Sequence, residues 1–200
     1  MFLRIVQARC TDEQAVRRLW KEWADAAATI SGWLGSTGGV TREGTLFLLS
    51  RYDSAQAARA HADSAQHAAW LEAAGAGLDG APTVRETADV HAVGDPEPAE
   101  AGFLQIMEAR VADRRRWEEI EEGLADAFTA HRPDFVGGYR AWVSADRVCA
   151  VDYFTSEAEA RAGEAKPPPP DLQAGFEQWI AMLDEIVWHN IADPWIATVP

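Results

Sequence analysis

The sequence predicts an α+β fold made of two tandem β-α-β-β-α-β repeats. Three observations point to it: one short segment is stated twice, the helix pattern after each statement presents the same apolar stripe, and paired strand patterns follow at matching places. Phe2 to Asp12 and Phe103 to Asp113 share six of eleven residues, and the echo continues through Ala24-Asp25-Ala26 and Ala125-Asp126-Ala127. After one residue of slippage it resumes at Gly35 and Gly137, Ser54 and Ser156, and Ala58-Arg59-Ala60 and Ala160-Arg161-Ala162. An offset held over so long a stretch marks a duplicated unit.

In the first repeat, residues 2–10 alternate and are rich in aliphatics, which makes them a strand. Leu3, Ile5, Gln7 and Arg9 share one face; Phe2, Arg4, Val6, Ala8 and Cys10 share the other. Thr11 opens a helix in capping-box fashion. Val16, Leu19, Trp20, Trp23, Ala27 and Ile30 give that helix a single stripe. Residues 33–41, loosened by glycines, and the strongly apolar residues 45–52 form a strand pair around Arg42-Glu43-Gly44. Ser54 caps a second helix, which Asp63-Ser64 interrupts before Trp70. Residues 75–82 are expected as loop and residues 83–93 as the closing strand. This order is the ferredoxin-like split βαβ arrangement. Residues 95–102, with prolines among acids, form a linker, so the expected repeats are residues 1–94 and 103–200.

The second repeat follows the same plan with one departure. Asp113 caps a helix whose stripe is Trp117, Ile120, Leu124, Ala127, Phe128 and His131; these fall on the positions of Val16, Leu19, Trp23, Ala26, Ala27 and Ile30. Residues 135–143 and 147–154 pair as a hairpin. Pro167 to Pro170 break the second helix, a fresh helix is expected over residues 171–183, and a strand over residues 185–192 precedes a tail anchored by Trp195. Each sheet has helices on one face only, so its other face needs cover. The other repeat is the expected cover, giving an intramolecular, pseudo-dimeric α+β barrel; two separate domains are the alternative.

The nine tryptophans promise large buried aromatic surfaces or an aromatic-lined pocket. A net charge of -14 argues against nucleic acid and against an anionic membrane surface. The basic run Arg114-Arg115-Arg116 is followed at once by Glu118, Glu119, Glu121 and Glu122, the pattern of a solvated helix face with internal charge pairs. Cys10 and Cys149 sit on expected strands without a CxxC spacing. With no leader pattern and no long apolar run, the expectation is reduced thiols in a cytoplasmic protein.

The β-α-β-β-α-β order, the strand over residues 45–52 leading into Asp53-Ser54, and the run His61-Ala62-Asp63-Ser64-Ala65-Gln66-His67-Ala68-Ala69-Trp70 together carry a resemblance. The chain resembles the dimeric α+β barrel superfamily and, within it, the antibiotic biosynthesis monooxygenase-related proteins. The resemblance covers the first repeat directly. It reaches the second through the duplication, because the proline run stands where the His-bearing segment would be. It implies a cofactor-free monooxygenase acting on a small or polycyclic aromatic compound, as a monomer with pseudo-dimer symmetry or as a homodimer. The haem-degrading branch matches poorly, since Gln7 and Glu108 stand where it has an Asn and no suitably spaced His follows Trp70. Fold analogy also leaves open a non-catalytic barrel that binds a small ligand or serves as an interaction module.

No nucleophile elbow, phosphate loop, dinucleotide fingerprint or HExxH motif is present. His61 and His67 do not share a helical face, so no metal site is expected, and each is expected to be exposed or to cap a helix. Sharper candidates lie where the repeats differ: Gln7 becomes Glu108 on the first strand, and Ser50 becomes Asp152 on the third. A carboxylate on an apolar strand must be paired, reach solvent or take a raised pKa. Pairing with Arg110 or Arg140 is the structural expectation. The catalytic expectation joins Glu108, Asp152 and His189 as one cluster, with His67, Trp70, His131, Trp142 and Trp179 lining the substrate space. Such a cluster would remove a proton from a phenol-like acid before direct reaction with oxygen, and needs no cofactor.

Overall fold

A computed structural model describes residues 1–96 and 98–199 of the chain. The first repeat runs β1 (Phe2–Cys10), α1 (Glu13–Ala27), β2 (Trp33–Val40), β3 (Thr45–Tyr52), α2 (Ala55–Ala62), α3 (Ala65–Gly75) and β4 (Leu78–Thr87), followed by β5 (Val90–Gly94). The second runs β6 (Phe103–Val111), α4 (Arg114–His131), β7 (Phe135–Trp142), β8 (Arg147–Phe154), α5 (Glu157–Glu164), α6 (Gln173–Ala181) and β9 (Leu183–Ile191), followed by β10 (Trp195–Thr198). The expected fold class, α+β with two ferredoxin-like repeats, is the one observed.

Two five-stranded sheets form, in the orders β10-β2-β3-β1-β4 and β5-β7-β8-β6-β9. The strand that follows each repeat joins the sheet of the other: β5 lies beside β7, and β10 pairs antiparallel with β2 through Trp195 opposite Gly38. The compact units are therefore Met1–Val90 together with the chain from Asp193 on, and His91–Ala192. They do not coincide with the sequence repeats, because hydrogen bonding at an open sheet edge is blind to which repeat supplies the strand.

Register is repeated as faithfully as sequence. Phe2 faces Tyr52 and Phe103 faces Phe154. Bulges fall at Gln7/Arg9 and Glu108/Arg110, and again at Trp33/Gly35 and Phe135/Gly137. Gly137 is required there: its φ is 149°, and an added Cβ would lie 2.1 Å from the Asp95 carbonyl oxygen.

Several boundaries differ from expectation for local reasons. Asp12, not Thr11, caps α1, its carboxylate accepting from the Ala15 N–H at 3.0 Å. Residues 83–93 are not one strand, and residues 78–82 are not loop: β4 begins at Leu78 and tolerates Pro82 because it is an edge strand. The expected tail holds β10. Residue 97 of the expected linker and residue 200 of the tail lie outside the described residues. Ser54 and Asp113 cap their helices as expected, Ser156 caps α5 in the same way, and Cys10 and Cys149 are buried free thiols.

The two cores are built differently. In the first unit α1 buries Val16, Trp20, Trp23 and Ala27 in one cluster with Phe2, Leu46, Leu48, Tyr52 and Trp195. On the helix side of the second unit the core is divided. One part gathers Met107, Trp117, Trp142 and Val148, the other Phe103, Phe135, Phe154 and Ala160.

Candidate functional site

A cavity of about 490 Å³ occupies the helix side of the second unit, within the size range of small-molecule sites. Leu124 and Phe128 on α4, Phe176 and Trp179 on α6, and Phe135 and Phe154 on the sheet line it with apolar surface. Trp188 on the edge strand β9 also lines it and is half exposed, which places it at the rim. The polar floor comes from Gln105, Glu121, Arg140, Asp152 and Asn190.

The floor is an ion-paired bridge. Arg140 on β7 donates from Nε to Glu121 on α4 and from Nη1 to Asp152 on β8, both at 2.7 Å. Arg140 as a whole is 9% exposed. Burial alone would lower its pKa, but the two flanking carboxylates raise it and hold it charged. Glu121 goes the other way: burial pushes its carboxyl above the usual range, against the pull of Arg140. A raised carboxyl against an aromatic cavity is a better proton acceptor than an ordinary carboxylate.

Beside this bridge, Gln105 on β6 faces Asp152 on one side and Asn190 on the other. Its Nε2 donates to Glu164 Oε1 and to Asn190 Oδ1, each at 3.1 Å. Arg132, buried beneath the Phe128 and Phe154 rings, is held by Asp134 through Nε at 3.0 Å and Nη2 at 2.7 Å. That contact holds the Asp134 carboxyl below its usual range even though burial opposes it.

Of the residues anticipated from sequence, Asp152 and Trp179 line the cavity. Glu108 and His189 do not. Asp152 lies opposite Gln105, and Glu108 is three residues further along the same strand, so the two carboxylates project from opposite faces of the sheet. The expected Glu108–Asp152 cluster therefore does not form. Glu108 instead meets His189 Nε2 at 3.2 Å. In the first unit Gln7 accepts from Arg85 at 3.2 Å at the equivalent register, which makes this pair a conserved rung of the duplicated sheet.

The remaining anticipated residues fill other space. Trp142 is buried in the other part of the core, edge-on to Trp117 and with Arg114 over its ring at 4.3 Å. His131 is half-buried at the end of α4, one residue short of Arg132. His67 and Trp70 belong to the first unit, where His67 is buried and stacks on Trp70. Trp70 donates its N–H to the Leu19 carbonyl at 2.9 Å. His61 and His67, expected to be exposed or to cap a helix, are both buried: α1 stacks Trp23 on His61, and His67 meets the His61 ring edge-on. His61 Nε2 accepts from Trp23 Nε1 at 3.1 Å, and its Nδ1 lies 2.6 Å from the Tyr52 hydroxyl. Burial, together with the charges of His67 and Arg4, lowers the His61 pKa to about 4.

The repeats show why the second unit carries this cavity. Strand register and the repeat offset place Trp20 at Glu121, Trp23 at Leu124, Gly38 at Arg140, Ser50 at Asp152 and His61 at Gly163. Space that the first unit fills with indole and imidazole is left open in the second, and Arg132 moves in where Gly163 has no side chain: a Cβ there would lie 2.2 Å from its Nε. Glu121, Gln105 and Asn190 were missed from sequence, though this aromatic-to-small pattern marks their neighbourhood. Among the described residues, no three His, Cys, Asp or Glu side chains are grouped to hold a metal ion, and no helix is long and apolar enough to cross a membrane.

No protein-family model matches the chain, and no curated protein matches it in sequence. Solved structures do match in fold. A "putative monooxygenase" of Lactobacillus acidophilus superposes with a TM-score of 0.74 at 11% identity, over 99% of this chain and 96% of that one. A "putative monooxygenase" of Fusobacterium nucleatum gives 0.78 at 10% identity, over 98% and 94%. An anthrone oxidase-like protein gives 0.65 at 12% identity, over 98% and 93%. Along essentially its whole length, the chain has the duplicated α+β fold of these monooxygenase-like proteins.

Proposed function

We propose that the protein is a cofactor-independent monooxygenase-like enzyme whose second unit binds a small or polycyclic aromatic compound. The observation that carries this reading is the aromatic-walled cavity of about 490 Å³ with a partly buried carboxyl of raised pKa on its floor. Ring substrate would lie against Phe128, Phe176 and Trp179. Glu121 would take the proton from an acidic C–H or phenolic O–H, while Arg140, itself held by Asp152, keeps Glu121 in place and steadies the developing anion. The carbanion then reduces oxygen by one electron and recombines with it as a peroxide. Loss of water gives the carbonyl, so that R₂CH₂ and O₂ yield R₂C=O and H₂O.

Oxygen uptake with anthrone tests the reading. The wild type is expected to consume oxygen, and Glu121→Gln to be slower by at least about 100-fold. Equal rates in both proteins would overturn the assignment of Glu121. The second reading, a non-catalytic ligand-binding barrel, is favoured by the Arg140 contacts that already occupy Glu121 and Asp152. Tight binding of an aromatic ligand without oxygen uptake would establish it.

A further inference from the structure

The cavity floor carries a second feature that the oxygenase reading does not use. At the position of Gln105 the first unit has Arg4, and at the position of Asn190 it has Glu86; these two form an ion pair at 3.5 Å. Where the cavity opens, the duplicated ion pair is a pair of neutral amides.

The orientation of both amides follows from chemistry. An ionised Glu164 carboxylate only accepts, so Gln105 must present its Nε2 to it. The same nitrogen donates its other hydrogen to Asn190, which must therefore present Oδ1. Gln105 Oε1 and Asn190 Nδ2 remain, one acceptor and one double donor, with no partner among the described residues. Both side chains line the cavity.

The charges around them disfavour an anion. The cavity's guanidiniums are all engaged: Arg140 by Glu121 and Asp152, Arg132 by Asp134, and Arg161 by Glu164 at 2.8 Å and Glu157 at 3.7 Å. The lining holds three carboxylates, Glu121, Asp152 and Glu164, against these three guanidiniums, so a carboxylate or phosphate ligand would find no free cation to meet it.

We propose that Gln105 and Asn190 select a neutral planar aromatic bearing adjacent N–H and C=O groups, a lactam-type edge, with Gln105 Oε1 accepting the ligand N–H and Asn190 Nδ2 donating to its carbonyl. This deepens the proposed ligand site and rests on that cavity being the binding site, but not on any oxygen chemistry.

Calorimetry with four bicyclic probes tests it: 2-quinolone, 1-methyl-2-quinolone, naphthalene and 2-naphthoate. The wild type is expected to bind 2-quinolone about tenfold more tightly than its N-methyl derivative, the equivalent of one well-made buried hydrogen bond, and more tightly still than naphthalene. In Gln105→Met the N–H preference should collapse to parity. In Asn190→Leu both quinolones should weaken while the N–H preference survives. A preference that persists in Gln105→Met would reduce it to steric exclusion of the methyl group and overturn the proposal. So would tighter binding of 2-naphthoate, or no binding of 2-quinolone at all. Oxygen-uptake results bear on Glu121 alone: a protein inactive toward anthrone that still discriminates the quinolones loses the oxygenase reading and keeps this one.

Discussion

Arg140 sits between two carboxylates in a cavity wall, and removing it leaves both without their cation. Arg140→Met is expected to destabilise the second unit by about 3–5 kcal/mol at pH 7, the range for breaking one side of a buried ion pair, measured by urea unfolding. The loss should shrink as pH falls, because burial raises the Glu121 carboxyl above its usual range. His61 makes the opposite kind of prediction. Its pKa is about 4 in the fold against 6.5 when free, so above pH 6.5 it contributes nothing to pH dependence. As pH falls from 6.5 toward 4, the unfolded chain binds a proton that the folded protein refuses, and stability drops by roughly 3 kcal/mol. His61→Gln should flatten the unfolding midpoint over that window; an unchanged slope would remove His61 as its source. The pairing of Asp152 with Arg140 was legible in sequence as a carboxylate needing a cation; the place of His61, expected to be exposed or to cap a helix, was not, because its burial is decided by Trp23 and Tyr52.

At the scale of elements, α3 and α6 occupy corresponding places and are held unequally. Ser64 caps α3 through the His67 N–H, and Trp70 ties the helix to α1. The start of α6 has no side-chain cap, it follows Pro167 to Pro170, and it has no fully buried residue. Its contribution to the cavity is Phe176 and Trp179. Amide hydrogens of α6 are therefore expected to exchange faster than those of α3, and a bound aromatic ligand should slow α6 selectively. Ligand-bound and free proteins with identical exchange in α6 would show that this helix does not close on the site. The sequence located α3 from the Asp63-Ser64 interruption and α6 from the proline break. Their unequal anchoring was hidden, because the bond from Trp70 to the Leu19 carbonyl spans separate elements.

At the scale of the whole molecule, the last strand completes the first unit. Trp195 is buried against Trp20 at 5.8 Å between ring centroids, and β10 pairs along β2. Trp195→Ala is expected to cost about 3–5 kcal/mol, as for other buried tryptophans, and to destabilise the first unit although the residue belongs to the second repeat in sequence. Unit-resolved hydrogen exchange would show it; a loss confined to the second unit would contradict the strand exchange. A larger replacement tests the duplication itself. Glu121→Trp, Arg140→Gly and Asp152→Ser together restore the first unit's residues at the cavity floor, and should abolish aromatic ligand binding while leaving a cooperatively folded protein.

By itself the sequence determined the duplication, the order of the elements and the faces of their apolar stripes, because these follow from local periodicity and from comparison of one half with the other. It also pointed to the second repeat as the place where the halves diverge chemically. Only the tertiary structure decided which divergent residues meet. Strand register put Asp152 beside Gln105 and sent Glu108 to the far face, and helix packing brought Glu121 to Arg140. Edge pairing gave each sheet a strand from the other repeat. Each of these depends on contacts between segments distant in the chain, where alternation and spacing carry no information.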